Sequence, residues 1–515
     1  MSVQAESAPS PQKLILGLLI AILGLFLGYL LVGAPFYTLV IAGAVGWVAT
    51  LPYHDRLAAS GSLLFSQSAF IVPFFPGPLY VAEVAAVMGL TAIPLAVVLR
   101  RYPADTGKLF RQNWAVFFGL AFYVLTLFTL MYGRGVGLGS LGGGVGGAKI
   151  YFQQIVWALV PVVLLLVPMR EAQLIRLVIV SFVLAFSYVF SEIVFAYLPA
   201  LRVVVVNLLA LPVDAFQFDM VASSFGFRRM QSLYFLCPKL IFALVVAFSL
   251  RSVLGRRSWW LVPAIVGLLA LGMASGHRAS LIHTGVVLLV VAIIQRALTP
   301  RNFLLATMAT ILGLALVYST VRIMPPAMQR AVSFLPGIDV ETVVAMDAKG
   351  TWQGRLEVTK RGIDMMPDYF WFGRGFTRYT DIFKQSLEAY SSTEYAILQG
   401  HFLNGFVGLM VNTGVWGAIG MCLLLYGGAR LAWRMIGRAR RAGFEDGLAR
   451  LATVVASLYL VDAVFFFVVE GNVEGAMRRF AFQIGILIAC DRLFRQRESS
   501  QAAADLPIPA KVVGA

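Results

Sequence analysis

Charge is scarce in this sequence. Asp, Glu, Lys and Arg make up 13% of its 515 residues against 59% apolar, and the mean hydropathy is +0.83. A soluble protein of this length has more surface than so few charges can cover, so a water-soluble globular fold is excluded. Cysteine is scarcer still. Cys237, Cys422 and Cys490 sit in or beside apolar runs and none has a CxxC partner, which leaves neither a disulfide framework nor a structural zinc site. The segments between apolar runs hold no Asp-x-Asp pair on the outer side, and the chain has no HExxH and no Walker-type loop. Metal-assisted transfer and ATP hydrolysis therefore have no visible machinery, and no metal or cofactor is indicated.

What is present is a series of apolar runs, each of about 18 to 22 residues and so long enough to cross a hydrocarbon core of ~30 Å. In lipid every backbone polar group must be paired within the protein, so these runs are helices; the alternation of an outer-membrane barrel is missing. The expected fold is an all-α polytopic membrane protein with about 12–14 transmembrane helices. Its parts are an N-terminal segment 1–13, a first part of the bundle 14–321, one large loop 322–400, a second part 401–492 and a tail 493–515 read as disordered. The first run, Leu14 to Val32, is long and lacks a small-residue cleavage site, so it reads as a retained helix and not a signal peptide.

The net charge of +16 does not point to nucleic acid. With the N-terminus inside, 23 of the 41 basic residues fall in inner loops and termini, as membrane topology alone demands. Both termini are then cytoplasmic and the loop 322–400 faces away from the cytoplasm. That loop carries nine basic and nine acidic residues with several aromatics, which suits a neutral, partly folded lid. Gly354 to Met366 and Thr380 to Tyr395 are expected as short helices. The glycine-rich stretch 135–147 is expected as a flexible outer loop, too irregular for a phosphate-binding fingerprint.

A few charges remain unexplained by topology. Arg278 lies in the turn Ser275-Gly-His-Arg-Ala-Ser280; Arg228 with Arg229 and Arg478 with Arg479 lie at other outer helix ends. Taken singly, each reads as a snorkelling cation. Together with Arg355, in Gly354-Arg-Leu-Glu-Val358, they can converge on an anion at the outer surface, where Arg suits the phosphate geometry of a lipid diphosphate. For Arg355 the plainer alternative is a salt bridge with Asp347 or Glu357. His401, in Gln399-Gly-His-Phe-Leu-Asn404, is expected at a helix start, where the positive helix end and nearby Arg would keep it neutral for work as a general base. His283 is expected to hydrogen-bond a neighbouring helix. Glu83, Glu192 and Asp462 lie in spans and read as structurally paired.

The order of these pieces resembles the O-antigen ligase and polysaccharide polymerase superfamily. The resemblance rests on the Ser-Gly-x-Arg-Ala turn at 275–279, then one long loop with Gly354-Arg355, Pro367 and Phe372-Gly-Arg-Gly-Phe376. It continues with His401-x-x-Leu-Asn near the start of a helix running through Gly414-Val-Trp-Gly417. It covers mainly 225–430. Phe402 follows the His, where the family often has Asn or Ser, and His277 precedes the first Arg, where it often has Ser.

The resemblance implies a bacterial inner-membrane glycosyltransferase with its active site facing the periplasm. It would transfer an undecaprenyl-diphosphate-linked glycan to a hydroxyl acceptor, without metal and with inversion. Arg278 and Arg355 map onto the arginines that hold the diphosphate, with Arg228 and Arg229 as further candidates, and His401 onto the residue that engages the acceptor. The reading favoured is a polymerase of exopolysaccharide, capsule or O-antigen repeat units. The alternatives are a ligase transferring the glycan to lipid A core or protein, and, in another class, a lipid-linked glycan flippase or transporter. Implied partners are the lipid-linked donor, the glycan acceptor and membrane lipids, with a flippase and a chain-length regulator of the same pathway.

Overall fold

The computed structural model describes residues 35–73, 75, 78–137, 145–211, 230–253, 258, 260–376, 378–379 and 392–504. The expected first helix at 14–32 and the candidate residues Arg228 and Arg229 lie outside them. The principal helices are α1 (Pro35–Thr50), α2 (His54–Phe65), α3 (Val81–Val98), α4 (Trp114–Arg134), α5 (Ala148–Leu166) and α6 (Glu171–Tyr197). They continue as α7 (Ser232–Ala247), α8 (Leu261–Met273), α9 (Arg278–Ile294), α10 (Pro300–Thr320), α11 (Pro326–Val332) and α12 (Thr342–Tyr369). Last come α13 (Ser392–Gln399), α14 (Gly405–Ala442), α15 (Gly447–Phe465) and α16 (Val473–Ala504).

Among the described residues seven helices are long and apolar enough to cross a membrane, and four shorter apolar helices join them. The fold is an all-α polytopic bundle. Its one described sheet is a two-residue antiparallel pairing of Val145–Gly146 with Arg378–Tyr379, which ties the end of the glycine-rich stretch to the long loop. The first of the two helices expected over 57–99 ends at Phe65, ten residues short of its expected bound, because Phe70 and Ile71 are extended and pair with Leu209 and Tyr80; the second runs over Val81–Val98.

The centre of the bundle is α14, packed along α4, α15 and α16, with α16 in turn along α5. Glycines make the closest approaches. A Cβ added at Gly420 would stand 2.9 Å from the Tyr123 backbone nitrogen, and one at Gly427 would stand 2.6 Å from that of Val116. Without a hydrophobic drive between helices in lipid, such small-residue contacts let backbones pack.

Acids inside the spans are all engaged. Glu83 accepts from the Gln153 amide (2.6 Å) and from the Tyr80 backbone N–H (3.1 Å). Glu192 accepts from the Gln231 and Ser232 backbone N–H groups at 3.0 and 2.8 Å, capping α7. Asp462 meets His283 Nε2 at 2.8 Å and the Gln483 amide at 2.5 Å. The expected helix-to-helix bond of His283 is therefore present.

Two further expectations about helix bounds need correction, and a third lies largely outside the described residues. The short helix expected at Gly354–Met366 is the second half of the 28-residue α12, because its polar and apolar residues keep a helical stripe from Thr342 onward. The stretch 380–391 of the second expected loop helix lies outside the described residues, and α13 begins at Ser392. At the other end α16 runs on to Ala504, past the boundary placed at 493. There Asp491 holds Arg434 (3.1 Å), Arg438 and Arg495 (3.1 Å), pairings that stabilise the helix beyond its apolar part.

Candidate active site

The site begins with a turn. Gly276 has φ +71, which a glycine adopts without penalty, and Ser275 Oγ accepts from the His277 N–H at 3.3 Å. α9 then starts at Arg278. The guanidinium of Arg278 reaches to α12 and donates to the Ala348 carbonyl at 3.0 Å. It lies within electrostatic range of Arg330, Arg355 and Asp347.

Arg330 was not singled out by the sequence, and it is the tie between these parts. It is buried on α11 and pairs with Asp347, donates to the Gly276 carbonyl at 2.7 Å and to Thr351 Oγ1 at 3.0 Å. One side chain thus joins the Arg278 turn to the stretch of α12 one turn ahead of Arg355. Asp347, one of the two acids expected as partners for Arg355, pairs with Arg330. Arg355 donates to the Val469 carbonyl at 2.9 Å, in the single π-helical turn Phe466–Glu470 that ends α15.

His401 does not begin a helix. α14 starts at Gly405, with Asn404 as its N-cap accepting from the Val407 N–H at 3.1 Å, and His401 stands in the connector before it. The reason is backbone geometry: Gly400 (φ +77) and Leu403 (φ +58) are left-handed and break the helix on either side of His401. The connector is held by three helices, α12, α13 and α14. His401 N–H donates to the Ala396 carbonyl (2.9 Å), and the Asn412 amide donates to the Gly400 carbonyl (3.0 Å). Thr359 Oγ1 donates to the Phe402 carbonyl (3.1 Å), one turn beyond Arg355 on α12. Phe402 itself is fully buried against Val358 and Val407.

Nor does α14 continue smoothly through Gly414. That residue has φ +69, and the chain there opens. The groups released by the break are taken up by the Gly-rich segment of the long loop. Arg374 N–H donates to the Val411 carbonyl (2.8 Å), Gly375 N–H to Asn412 (2.9 Å), and Val415 N–H to Phe370 (2.7 Å). Irregular backbone inside a membrane bundle survives only where protein satisfies it in this way. The Arg374 side chain meets Asn412 Oδ1 (3.1 Å) and the carbonyls of Ile397 (2.9 Å) and Leu398 (3.1 Å), so it also caps the C-terminus of α13. The Phe-Gly-Arg-Gly-Phe motif is thereby an anchor for the His401 connector.

Arg278, Arg355 and His401 are each half-buried, and the elements that carry them meet around α12. Arg478 and Arg479, the other described arginines of that group, go elsewhere. Arg478 donates to the Ser66 carbonyl (3.1 Å) and lies over the Tyr80 ring at 4.8 Å, while Arg479 faces Asp462 at 3.6 Å. A carboxylate, Glu474, faces His401 Nε2 at 3.7 Å, a charge opposite in sign to those the helix-end expectation invoked.

A bundle of apolar helices with glycine contacts and a folded loop clamped over one end defines a multi-pass helical membrane protein. Over residues 262–422 this chain matches the family model described as O-Antigen ligase, which supports its place in the O-antigen ligase and polysaccharide polymerase superfamily. The match runs from α8 into α14 and contains Arg278, Arg355 and His401. It supports an enzyme of ligase- or polymerase-type glycan transfer. A search of curated proteins found no match.

Proposed function

We propose that this protein joins undecaprenyl-diphosphate-linked repeat units into a polysaccharide at the outer face of a bacterial inner membrane. The observation that carries the reading is the meeting of Arg278, Arg355 and the His401 connector on α12, inside the matched stretch. In this reading Arg278 and Arg355 face the diphosphate. Fixed cations stabilise charge as it develops on the leaving group and cost no reorganisation, without calling on a metal. The acceptor hydroxyl attacks the anomeric carbon opposite the departing diphosphate, so the configuration inverts. The hydroxyl proton passes to His401, which supplies about 10² to 10⁴ in rate. Lipid held between helices places the head under the loop, so orientation comes from the membrane itself.

A ligase would use the same groups, and the match to the O-Antigen ligase family favours keeping that reading. Lipid-linked glycans from a deletion strain separate the two: single repeat units accumulate if a polymerase is missing, long chains if a ligase is. A flippase would leave units on the cytoplasmic side. Complementation with Arg278→Ala or Arg355→Ala should restore membrane protein and no polymer; wild-type polymer length and yield in either variant would remove the diphosphate clamp. Reporter fusions within 340–376 check the orientation.

A further inference from the structure

Glu474 plays no part in the reading above, and it lies outside the residues that match the O-antigen ligase family. Its placement is nonetheless fixed with respect to His401. After the π-helical turn, Gly471 takes a left-handed conformation and passes so close to Leu403 and Asn404 that an added Cβ would collide with their backbone. Asn472 Oδ1 then accepts from the Glu474 N–H at 3.0 Å and the Gly475 N–H at 3.3 Å, which caps the first turn of α16. The start of α16 and the His401 connector are thus one packed unit. The two side chains are 37% exposed for His401 and 21% for Glu474. His401 Nε2, however, is shielded from solvent and faces the carboxylate.

We infer that Glu474 is a positioning residue for His401, holding the ring with Nε2–H toward the carboxylate so that Nδ1 carries the lone pair for the acceptor proton. The inference rests on the glycan-transfer reading of this site. A carboxylate beside a catalytic imidazole sets its tautomer and orientation and stabilises the imidazolium that forms. At 3.7 Å the pair is longer than a hydrogen bond and closes as the ring gains charge. In the step itself an acceptor oxygen lone pair forms the bond to the anomeric carbon. The bond from that carbon to the diphosphate oxygen breaks, its electron pair leaving on the diphosphate. The hydroxyl proton goes to Nδ1, and Glu474 stays a carboxylate throughout.

The test uses the full-length protein in detergent and the lipid extract of a deletion strain as source of donor and acceptor. Glu474→Gln preserves shape, and Asn472 still caps the helix. Its kcat should fall about 10- to 100-fold, with the half-saturating amount of extract unchanged within about twofold. Glu474→Asp should recover part of the rate. In a His401→Ala background, Glu474→Gln should change the residual rate by less than about twofold, because the two residues act as one unit. A Glu474→Gln enzyme with wild-type kcat overturns the inference, as does one whose loss lies wholly in half-saturation. Should the Gln variant fail to purify folded, an Asp variant with no loss of kcat beyond its loss of folded protein overturns it equally. If the wild-type protein leaves the extract unchanged, the transfer reading falls and this inference with it. A working wild type with an unaffected Gln variant removes Glu474 alone.

Discussion

Helices α14 and α10 are equally apolar and are used in opposite ways. Their best 18-residue windows have mean hydropathies of 1.7 and 1.9, yet 72% of the first is buried and 6% of the second. α14 has seven buried glycines and forms the spine of the bundle, whereas no residue of α10 is buried and the one buried position in its window is Val321, just past its end. In lipid an apolar side chain gains little by leaving acyl chains for another apolar side chain, so hydropathy sets which helices cross and not which ones pack. Close backbone approach and polar contacts decide the packing. α14 has both, and both lead to the candidate site: its broken turn at Gly414 holds the loop, and its N-terminus holds the His401 connector.

The sharpest way to break this comparison uses two Arg–Asp pairs in the long loop with the same 17-residue spacing. Arg330–Asp347 is 8% and 13% exposed, and Arg322–Asp339 is 78% and 65% exposed. Arg330→Ala removes the buried cation that holds Asp347, Thr351 and the Gly276 carbonyl together and should cost about 3 kcal/mol. It should also abolish polymer, since it unties the Arg278 turn from α12. Arg322→Ala should change neither the melting midpoint in detergent nor the polymer. Equal shifts in the two variants would contradict the division between a packed and an unpacked side of the loop.

A second pair probes the helices themselves. Gly420→Leu forces a side chain onto the Tyr123 backbone and should cost about 1 to 3 kcal/mol by overpacking. A Cβ at Gly313 of α10 meets nothing within 4 Å, so Gly313→Leu should leave the midpoint and the elution volume unchanged. Destabilisation by Gly313→Leu would mean that α10 packs against protein in the membrane.

Much of the fold was legible because hydropathy and the bias of Lys and Arg act directly on insertion. The pairing of His283 with a neighbouring helix followed from sequence because a polar group inside a span needs a partner there. Arg278, Arg355 and His401 were singled out by charge placed against the bias and by family motifs. Arg330 was not, because its spacing to Asp347 repeats that of Arg322 to Asp339 and only burial tells them apart. The break at Gly414 was hidden for a related reason. A glycine in an apolar run reads as a packing residue unless the loop that accepts its released groups is known to lie beside it. Glu474 follows a glycine and an asparagine at the end of an apolar run, a pattern that marks a helix start and gives no hint of a histidine 73 residues earlier.

The smallest contrast lies in two helix caps. Asn404 caps α14 by accepting from Val407 N–H at 3.1 Å, and Thr299 caps α10 by accepting from Asn302 N–H at 3.3 Å. Losing either cap removes one satisfied N–H and costs about 1 kcal/mol or less. The energetic costs are alike, so the functional costs isolate position. Asn404 lies three residues beyond His401 and against Gly471, on the same packed unit as Glu474. Asn404→Ala should therefore lower turnover several-fold while the melting midpoint moves little, since a misplaced catalytic group costs rate well before it costs stability. Thr299→Ala should move the midpoint by no more and leave turnover at the wild-type level. Equal turnover in the two variants would show that the connector is held without its cap, and that the contacts from Thr359 and Asn412 alone set the position of His401.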